Sequence, residues 1–521
     1  MFLAQAPAAP LEVPSVDYAA VLPMLIVFGV ACIGVLVEAF APKATRWGIQ
    51  VTISLVAIIA AGVSLILYAT GASASKAGTT TFSGSISVDR PSLFLWGTLL
   101  LLGLGAVFLI ADRKVEPGGA FVAHAAIRPG TVQDRAQAAT TSQTEVFPLT
   151  LFALGGMMTF CAANDLLTMF IALEVLSLPL YLMCGLARRR RLISQEAAVK
   201  YFLLGAFSSA FFLYGLALLY GYADSVKLAD IAHAAAGSDR SDTLLFAGLG
   251  LLVVGLLFKG SVGPFHTWTP DVYQGAPTPV TGFMAACTKV AAFGAILRVL
   301  SVGFSSTSWE WRGVMWAVAI ISMALGAILG LTQTDVKRMI AYSSVAHAGF
   351  LLVGAIAMTE DGLSGTLFYL LAYGFTTLAA FGVVSLVRDS SGEATHLSAW
   401  AGLAKRSPLL AGVFTFLLLA LAGIPLTSGF VGKFVVFSAA LSDGMAPLVV
   451  VALVFSAVAA FFYLRVIVLM YFSEPAADGP TVTVPGGFTT AAIALGVVVT
   501  LVLGVLPAFA LDWAGAGGFA S

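Results

Sequence analysis

Fourteen stretches of the sequence are long and apolar enough to cross a lipid bilayer as helices, and that constrains the fold more than any single motif. About 20 apolar residues span the hydrocarbon core. Runs of that order fall at roughly 16–40, 48–70, 91–111, 146–162, 166–187, 197–222, 243–268, 277–301, 313–333, 339–359, 362–387, 408–440, 446–472 and 486–513. Charge is scarce to match: 10% of residues are Asp, Glu, Lys or Arg, against about 25% in a soluble domain. Such a chain cannot cover itself against water, so the expected fold is an all-α polytopic membrane protein of about 14 transmembrane helices with the lipid bilayer as solvent. Zero net charge speaks against a nucleic-acid partner. Cys32, Cys161, Cys184 and Cys287 stand singly, without metal-ligand spacing, so no metal or cluster is expected on this chain. The opening MFLAQAPAAPLEVPSVDY has no basic residue before the first apolar run, which argues against a cleaved leader.

Orientation is read from the basic residues. One set of alternate loops holds Lys43, Arg46, Arg113, Lys114, Arg128, Arg135, Arg188 to Arg191, Lys337, Arg338, Arg388, Lys405 and Arg406; the other holds only Lys76, Arg90, Lys227, Arg240 and Arg312. The richer set belongs in the cytoplasm, which puts both termini on the extracytoplasmic side of a bacterial cell membrane.

Six basic residues remain inside the spans: Lys200, Lys259, Lys289, Arg298, Lys433 and Arg465. A charge at a helix centre costs roughly 2.5–3.5 kcal/mol on insertion scales, so it faces a partner or a wet cavity. Arg298 and Arg465 lie near helix ends and are expected to snorkel to the headgroups. Lys200, close to the cytoplasmic side, suits snorkelling and function equally. Lys259, Lys289 and Lys433 have long apolar flanks, and Glu174 is the acid deep in a span. Burial and pairing act on protonation in opposite senses. A Glu174–Lys259 pair within salt-bridge or one-water reach therefore reads as a site that loads and releases a proton. His266 and His347 lie at a depth to join it, since histidine ordinarily titrates near pH ~6.5.

Two spans are interrupted beside their lysines, by Gly260, Gly263 and Pro264 after Lys259, and by Gly423, Pro425, Gly429 and Gly432 before Lys433. Matching interruptions beside matching charges point to an ion site in a transporter built from repeats. Residues 146–301 and 313–472 each hold five spans, with the interrupted one fourth. An odd number of crossings turns the second block upside down, so two inverted five-helix repeats with broken helices are expected. Three helices within 1–111, a cytoplasmic loop at 112–145 and a last span at 486–513 complete the chain. Lys259, Glu174, Lys289, His347 and Lys433 are expected to form one hydrated line across the membrane plane. Tyr342, Ser343, Ser344, Thr427 and Ser428 are candidate hydroxyls along it.

The segments EVLSLPLYLMCGL, EAAVKYFLLGAFSSAFFLYG, KGSVGPFHTWTPDVYQGAPTPVTGFMAACTK, DVKRMIAYSSVAHAGF and GIPLTSGFVGKF resemble the antiporter-like membrane subunits of bacterial proton-translocating NADH–quinone oxidoreductase, respiratory complex I. The resemblance covers residues 146–472. It implies that Glu174 pairs with Lys259, that Lys289 is the central lysine and Lys433 the terminal one of a proton relay, and that His266, His347 and Lys200 are possible members. Lysine rather than glutamate at position 433 selects one branch of the family. Relatives often carry Pro before the central lysine; Thr288 here implies a less distorted backbone. The resemblance further implies membrane-arm partner subunits, with NADH, FMN, iron–sulfur clusters and quinone bound on partners and none on this chain. A Mrp-type or stand-alone cation/proton antiporter subunit shares the broken helices and is the alternative; an inert scaffold would gain nothing from the cost of its buried charges.

Overall fold

The computed structural model describes residues 16–71, 78–116, 119–122, 131–132, 143–237, 241–389, 392–475 and 479–520. Most of the 112–145 loop, with Arg128 and Arg135, lies outside the described residues, as do Lys76, Arg240 and the first fifteen residues.

Eleven helices are long and apolar enough to cross a membrane among the described residues. They are α1 (Tyr18–Phe40), α2 (Lys43–Thr70), α3 (Arg90–Ala111), α5 (Leu166–Cys184), α6 (Arg191–Ala223), α10 (Thr278–Gly303), α11 (Ser308–Thr332), α12 (Val336–Ala357), α13 (Glu360–Val384), α16 (Ala446–Phe472) and α17 (Gly487–Val505). Four shorter apolar helices, α4 (Val146–Ala162), α8 (Thr243–Lys259), α14 (Pro408–Ala422) and α15 (Ser428–Ser442), occupy the remaining apolar runs. Short helices α7 (Leu228–Gly237), α9 (Trp268–Gly275) and α18 (Ala508–Ala514) complete this set. Helices α10, α12 and α13 are enclosed by the others, whereas α1, α2, α16 and α17 turn much of their apolar surface outward. That outward surface needs lipid, because water would leave it uncovered.

The two halves repeat one backbone device. At the start of α5, Leu166 N–H donates to the Val226 carbonyl and Leu228 N–H to that of Asn164. At the start of α12, Val336 N–H donates to Thr395 and Leu397 N–H to Thr334. Each helix is capped by an aspartate, Asp165 on Thr168 N–H at 2.7 Å and Asp335 on Arg338 N–H at 3.1 Å, which satisfies an otherwise orphaned donor. With five spans from one start to the other, these matching ends sit on opposite faces of the bilayer.

Both expected breaks are present. The run after α8 leaves the helix at Gly260 and resumes at α9, as Gly263–Pro264 removes a donor and the constraint of a side chain. Helix α14 ends where Gly423 adopts φ +87°, and α15 begins at Ser428. The lysines, however, do not occupy matching places. Lys259 is the last residue of a first half-helix, and Lys433 lies inside a second one.

Helix α10 corrects another expectation. Its backbone widens to a π-helical turn at Met284–Thr288, immediately before Lys289, and again at Val299–Gly303. The Thr288 hydroxyl donates to the Met284 carbonyl at 2.5 Å. A hydroxyl serving the carbonyl four residues back loosens the helix locally, so the distortion needs no proline.

Loop structure is small. Strands β1 (Thr79–Thr81) and β2 (Ile86–Val88) form a hairpin. On the arginine-rich face, β3 (Val387–Asp389) pairs with β4 (Gly392–Glu393) and β5 (Thr481–Val482). Glu116, from the described start of the 112–145 loop, ion-pairs with Arg189 at 3.4 Å and Arg388 at 3.1 Å. It thereby ties the turn between α5 and α6 to the strand that follows α13.

Candidate functional site

The helix breaks create what the lysines need. A helix that stops exposes its last carbonyls and the negative end of its dipole. Lys433 Nζ donates to the α14 carbonyls of Leu421 at 3.3 Å and Ala422 at 2.9 Å, and to Ser456 Oγ at 2.9 Å. Lys289 Nζ donates to the Gly260 carbonyl just past α8 at 3.2 Å and to that of Ser344 at 2.7 Å. Lys259 Nζ, by contrast, donates to two hydroxyls, Ser177 at 2.7 Å and Tyr201 at 3.0 Å. All three lysines are buried. Desolvating an ammonium costs several kcal/mol, and hydrogen bonds from a charged donor return about 1.5–3 kcal/mol each. Two or three such bonds are therefore of the size of the cost, without a fixed counter-charge.

Aromatic faces complete each cage. Tyr181 and Tyr201 cover Lys259 at 5.6 and 5.1 Å from ring centre to Nζ, Tyr373 covers Lys289 at 5.5 Å, and Phe350 covers Lys433 at 4.9 Å. His347 stands between the last two. Its ring lies 5.0 Å from that of Tyr373 and 5.8 Å from that of Phe350. Nδ1 meets Tyr369 OH at 2.7 Å, and Nε2 meets Tyr463 OH at 3.4 Å. Ser343 hydrogen-bonds the same Tyr463 hydroxyl. Lys259, the Gly260 carbonyl, Lys289, Tyr373, His347, Phe350 and Lys433 thus form a continuous succession of contacts through the protein interior.

The remaining candidates fall beside that succession. Among the described residues no direct ion pair joins Glu174 to Lys259, whose Nζ meets Ser177 and Tyr201 instead. Glu174 Oε1 is buried without a hydrogen-bond partner. His266 is buried, its ring 6.0 Å from Tyr342 and its Nδ1 without a partner. Thr427 turns its hydroxyl to the Ile424 carbonyl instead of to Lys433, and Ser428 Oγ is unpartnered. Lys200 stands apart: it is half-exposed and ion-paired with Glu196 at 2.7 Å and Asp271 at 2.8 Å. Arg465 reaches the Leu331 carbonyl at the end of α11. Arg298 does not snorkel. It is wholly buried, 2.8 Å from an equally buried Asp89, a partner far too distant in sequence for helical spacing to reveal.

Sequence reasoning missed Ser177, Tyr201, Tyr369, Tyr373, Tyr463 and Ser456. Two signals were available. Ser177 lies three residues beyond Glu174, on the same helix face, and Ser456 and Tyr463 are seven apart on α16.

The sequence matches, over residues 163–473, the family described as NADH:quinone oxidoreductase/Mrp antiporter, TM. NADH-quinone oxidoreductase subunit N of Saccharopolyspora erythraea is 76% identical over 514 residues, 98% of this chain and 99% of the relative. A chain of respiratory complex I from Thermus thermophilus with bound aureothin is 34% identical with a TM-score of 0.76, over 95% of this chain and all of that one (100%). A chain of the Mrp complex from Dietzia sp. DQ12-45-1b reaches a TM-score of 0.80 at 22% identity, over 95% of this chain and 96% of that one; this likeness concerns the fold alone.

Proposed function

The chain belongs to the NADH:quinone oxidoreductase/Mrp antiporter family of membrane subunits, and we propose from that premise that it works as the N-type subunit of a bacterial proton-translocating NADH–quinone oxidoreductase. It is a multi-span subunit of the respiratory membrane complex and acts beside other membrane-arm subunits. Electron transfer from NADH to quinone takes place on partners, whose FMN and iron–sulfur clusters carry it. The family description covers Mrp antiporter subunits too, and the Mrp chain is alike in fold alone, whereas the relative that matches from end to end is a subunit N.

The observation that carries the transport role is the succession of three buried lysines and one histidine, each held by carbonyls or hydroxyls instead of by an acid. An ammonium so held can surrender its proton without leaving a stranded carboxylate behind. Lys259 is the entry member, poised against Ser177 and Tyr201, with Glu174 close enough to bias it. Lys289 is the central member, His347 and its two tyrosines the bridge, and Lys433 the terminal member. The hydroxyls of Ser344, Tyr373 and Thr377 cluster by Lys289 without hydrogen bonds of normal geometry. Buried polar groups of that kind are satisfied by ordered water, and proton transfer needs steps of about 2.6–3.2 Å. The arginine-rich face is cytoplasmic in this reading, and residues 146–301 and 313–472 are the two inverted units.

The test is Lys289→Met in the assembled complex, reconstituted into sealed vesicles. Assembly and NADH oxidation should persist while protons moved per NADH fall. Undiminished stoichiometry would make the central lysine structural.

A further inference from the structure

Outward from Lys289, helix α10 runs through eight buried apolar or glycine residues, Val290 to Leu297, before it meets Arg298. Nine residues of helix rise amount to about 13.5 Å. Arg298 is the first charge on that path towards the face opposite the arginine run. Its Nη2 donates to both oxygens of Asp89, at 3.0 and 2.8 Å, and to Ser92 Oγ at 2.6 Å, and its Nε donates to the Cys161 carbonyl at 2.9 Å. Asp89 also accepts from Ser92 N–H at 3.0 Å, from the Ser92 hydroxyl at 2.7 Å and from the Ser87 hydroxyl at 3.2 Å. A sixth contact comes from the C-terminal segment: Ala520 N–H donates to Asp89 Oδ2 at 3.1 Å. The neighbouring Phe519 ring lies over the guanidinium at 4.7 Å. Trp513 on α18 anchors the segment, its ring 4.9 Å from that of Phe94.

We propose that the C-terminal segment and the Arg298–Asp89 pair form a plug that closes the central lysine off from the extracytoplasmic face. The proposal rests on the reading of Lys289 as a proton carrier. A guanidinium has no acceptor and does not deprotonate in proteins, so it cannot hand a proton on. The carboxylate's lone pairs are filled by the contacts above, which leaves no place for a chain of water to attach. A proton on Lys289 then leaves sideways, towards His347 and Lys433, and not straight outward. Arg298 Nη1 is buried without a partner, which marks the inner side of the plug as the place where water from the Lys289 region ends. Arg298 is in this scheme a positioning residue: it touches no transferred proton and sets where transfer stops.

The experiment measures passive decay of an imposed pH difference, without NADH, in vesicles holding the whole complex. Variants are a chain ending at Gly515, Phe519→Ala, Arg298→Gln and Arg298→Lys. The shortened chain and Arg298→Gln should leak about tenfold faster, the change that a barrier lower by about 1.4 kcal/mol gives, with NADH–quinone electron transfer retained. Arg298→Lys should leak as well, because a buried ammonium can release a proton where a guanidinium cannot; an Arg298→Lys complex as tight as the wild type would mean that charge alone, and not the guanidinium, closes the path. Adding Lys289→Met to the shortened chain should abolish the leak, which general loosening of the fold would not allow. A shortened complex as tight as the wild type overturns the plug, and so does a leak indifferent to Lys289→Met. If the shortened chain fails to assemble, Phe519→Ala, which removes only the ring over Arg298, decides in the same assay. Wild-type vesicles that do not pump on NADH would instead overturn the functional reading itself.

Discussion

Ser177 and Tyr201 hold the Lys259 ammonium where an acid was expected to. Ser177→Ala removes one of two hydrogen bonds from a buried cation, a loss of roughly 1.5–3 kcal/mol. NADH-driven proton pumping should drop about tenfold if even 1.4 kcal/mol of that appears in the transfer barrier. Initial rates of vesicle acidification check this, and an unchanged rate would remove Ser177 from the relay. Tyr201→Phe should behave alike, because its ring, and with it the cover over the ammonium, survives. At this scale the sequence exposed the residues that are costly in lipid: Lys259, Lys289, Lys433 and Glu174 stand out because their immediate flanks carry no other charge. It hid their partners, since carbonyls and hydroxyls carry no signature of their own. Arg298 was misread for the same reason: proximity to a helix end is visible in sequence, whereas Asp89 reaches it only through the fold.

Among the elements, the break between α14 and α15 shows how a backbone defect becomes a binding site. Gly423 sits at φ +87°, and a Cβ there would lie 3.0 Å from Lys433 Cδ and 3.2 Å from its Nζ. Gly423→Ala meets a left-handed backbone cost of about 1–2 kcal/mol and also displaces the lysine from the Ala422 carbonyl. Both a lower melting temperature and weaker pumping should result. Gly260, at the other break, has an ordinary φ of −74°, and its would-be Cβ meets nothing closer than 3.4 Å. Gly260→Ala should therefore be tolerated, with a change in melting temperature too small to resolve. If the two variants melt and pump alike, left-handed geometry is not what the terminal site depends on. Both breaks were legible because Gly and Pro punctuate apolar runs visibly. The π-helical turn before Lys289 was not, since it needs no special residue: a threonine hydroxyl and the packing of an enclosed helix produce it.

The whole molecule inherits its direction from a feature that no single helix possesses. Basic residues crowd the loops on one face, and the membrane potential and translocation machinery favour keeping such loops inside. The fold places Arg188, Arg189, Arg190, Lys337 and Arg388 around one hollow with Glu116 and Glu393 among them, so basic residues counted along the chain meet at one place on this face. The opposite face carries the β1–β2 hairpin and the segment that reaches Asp89. Ser398 is exposed on the first face and Ser306 on the second. A cysteine at Ser398 should react with a membrane-impermeant maleimide in inside-out vesicles and not in right-side-out ones. A cysteine at Ser306 should show the reverse, with the native Cys32 as the background control. Reversal of both labels would turn the subunit over in the bilayer. The plug over Arg298 would then face the cytoplasm and guard proton entry instead of exit, so the direction of the whole relay hangs on this one asymmetry of charge.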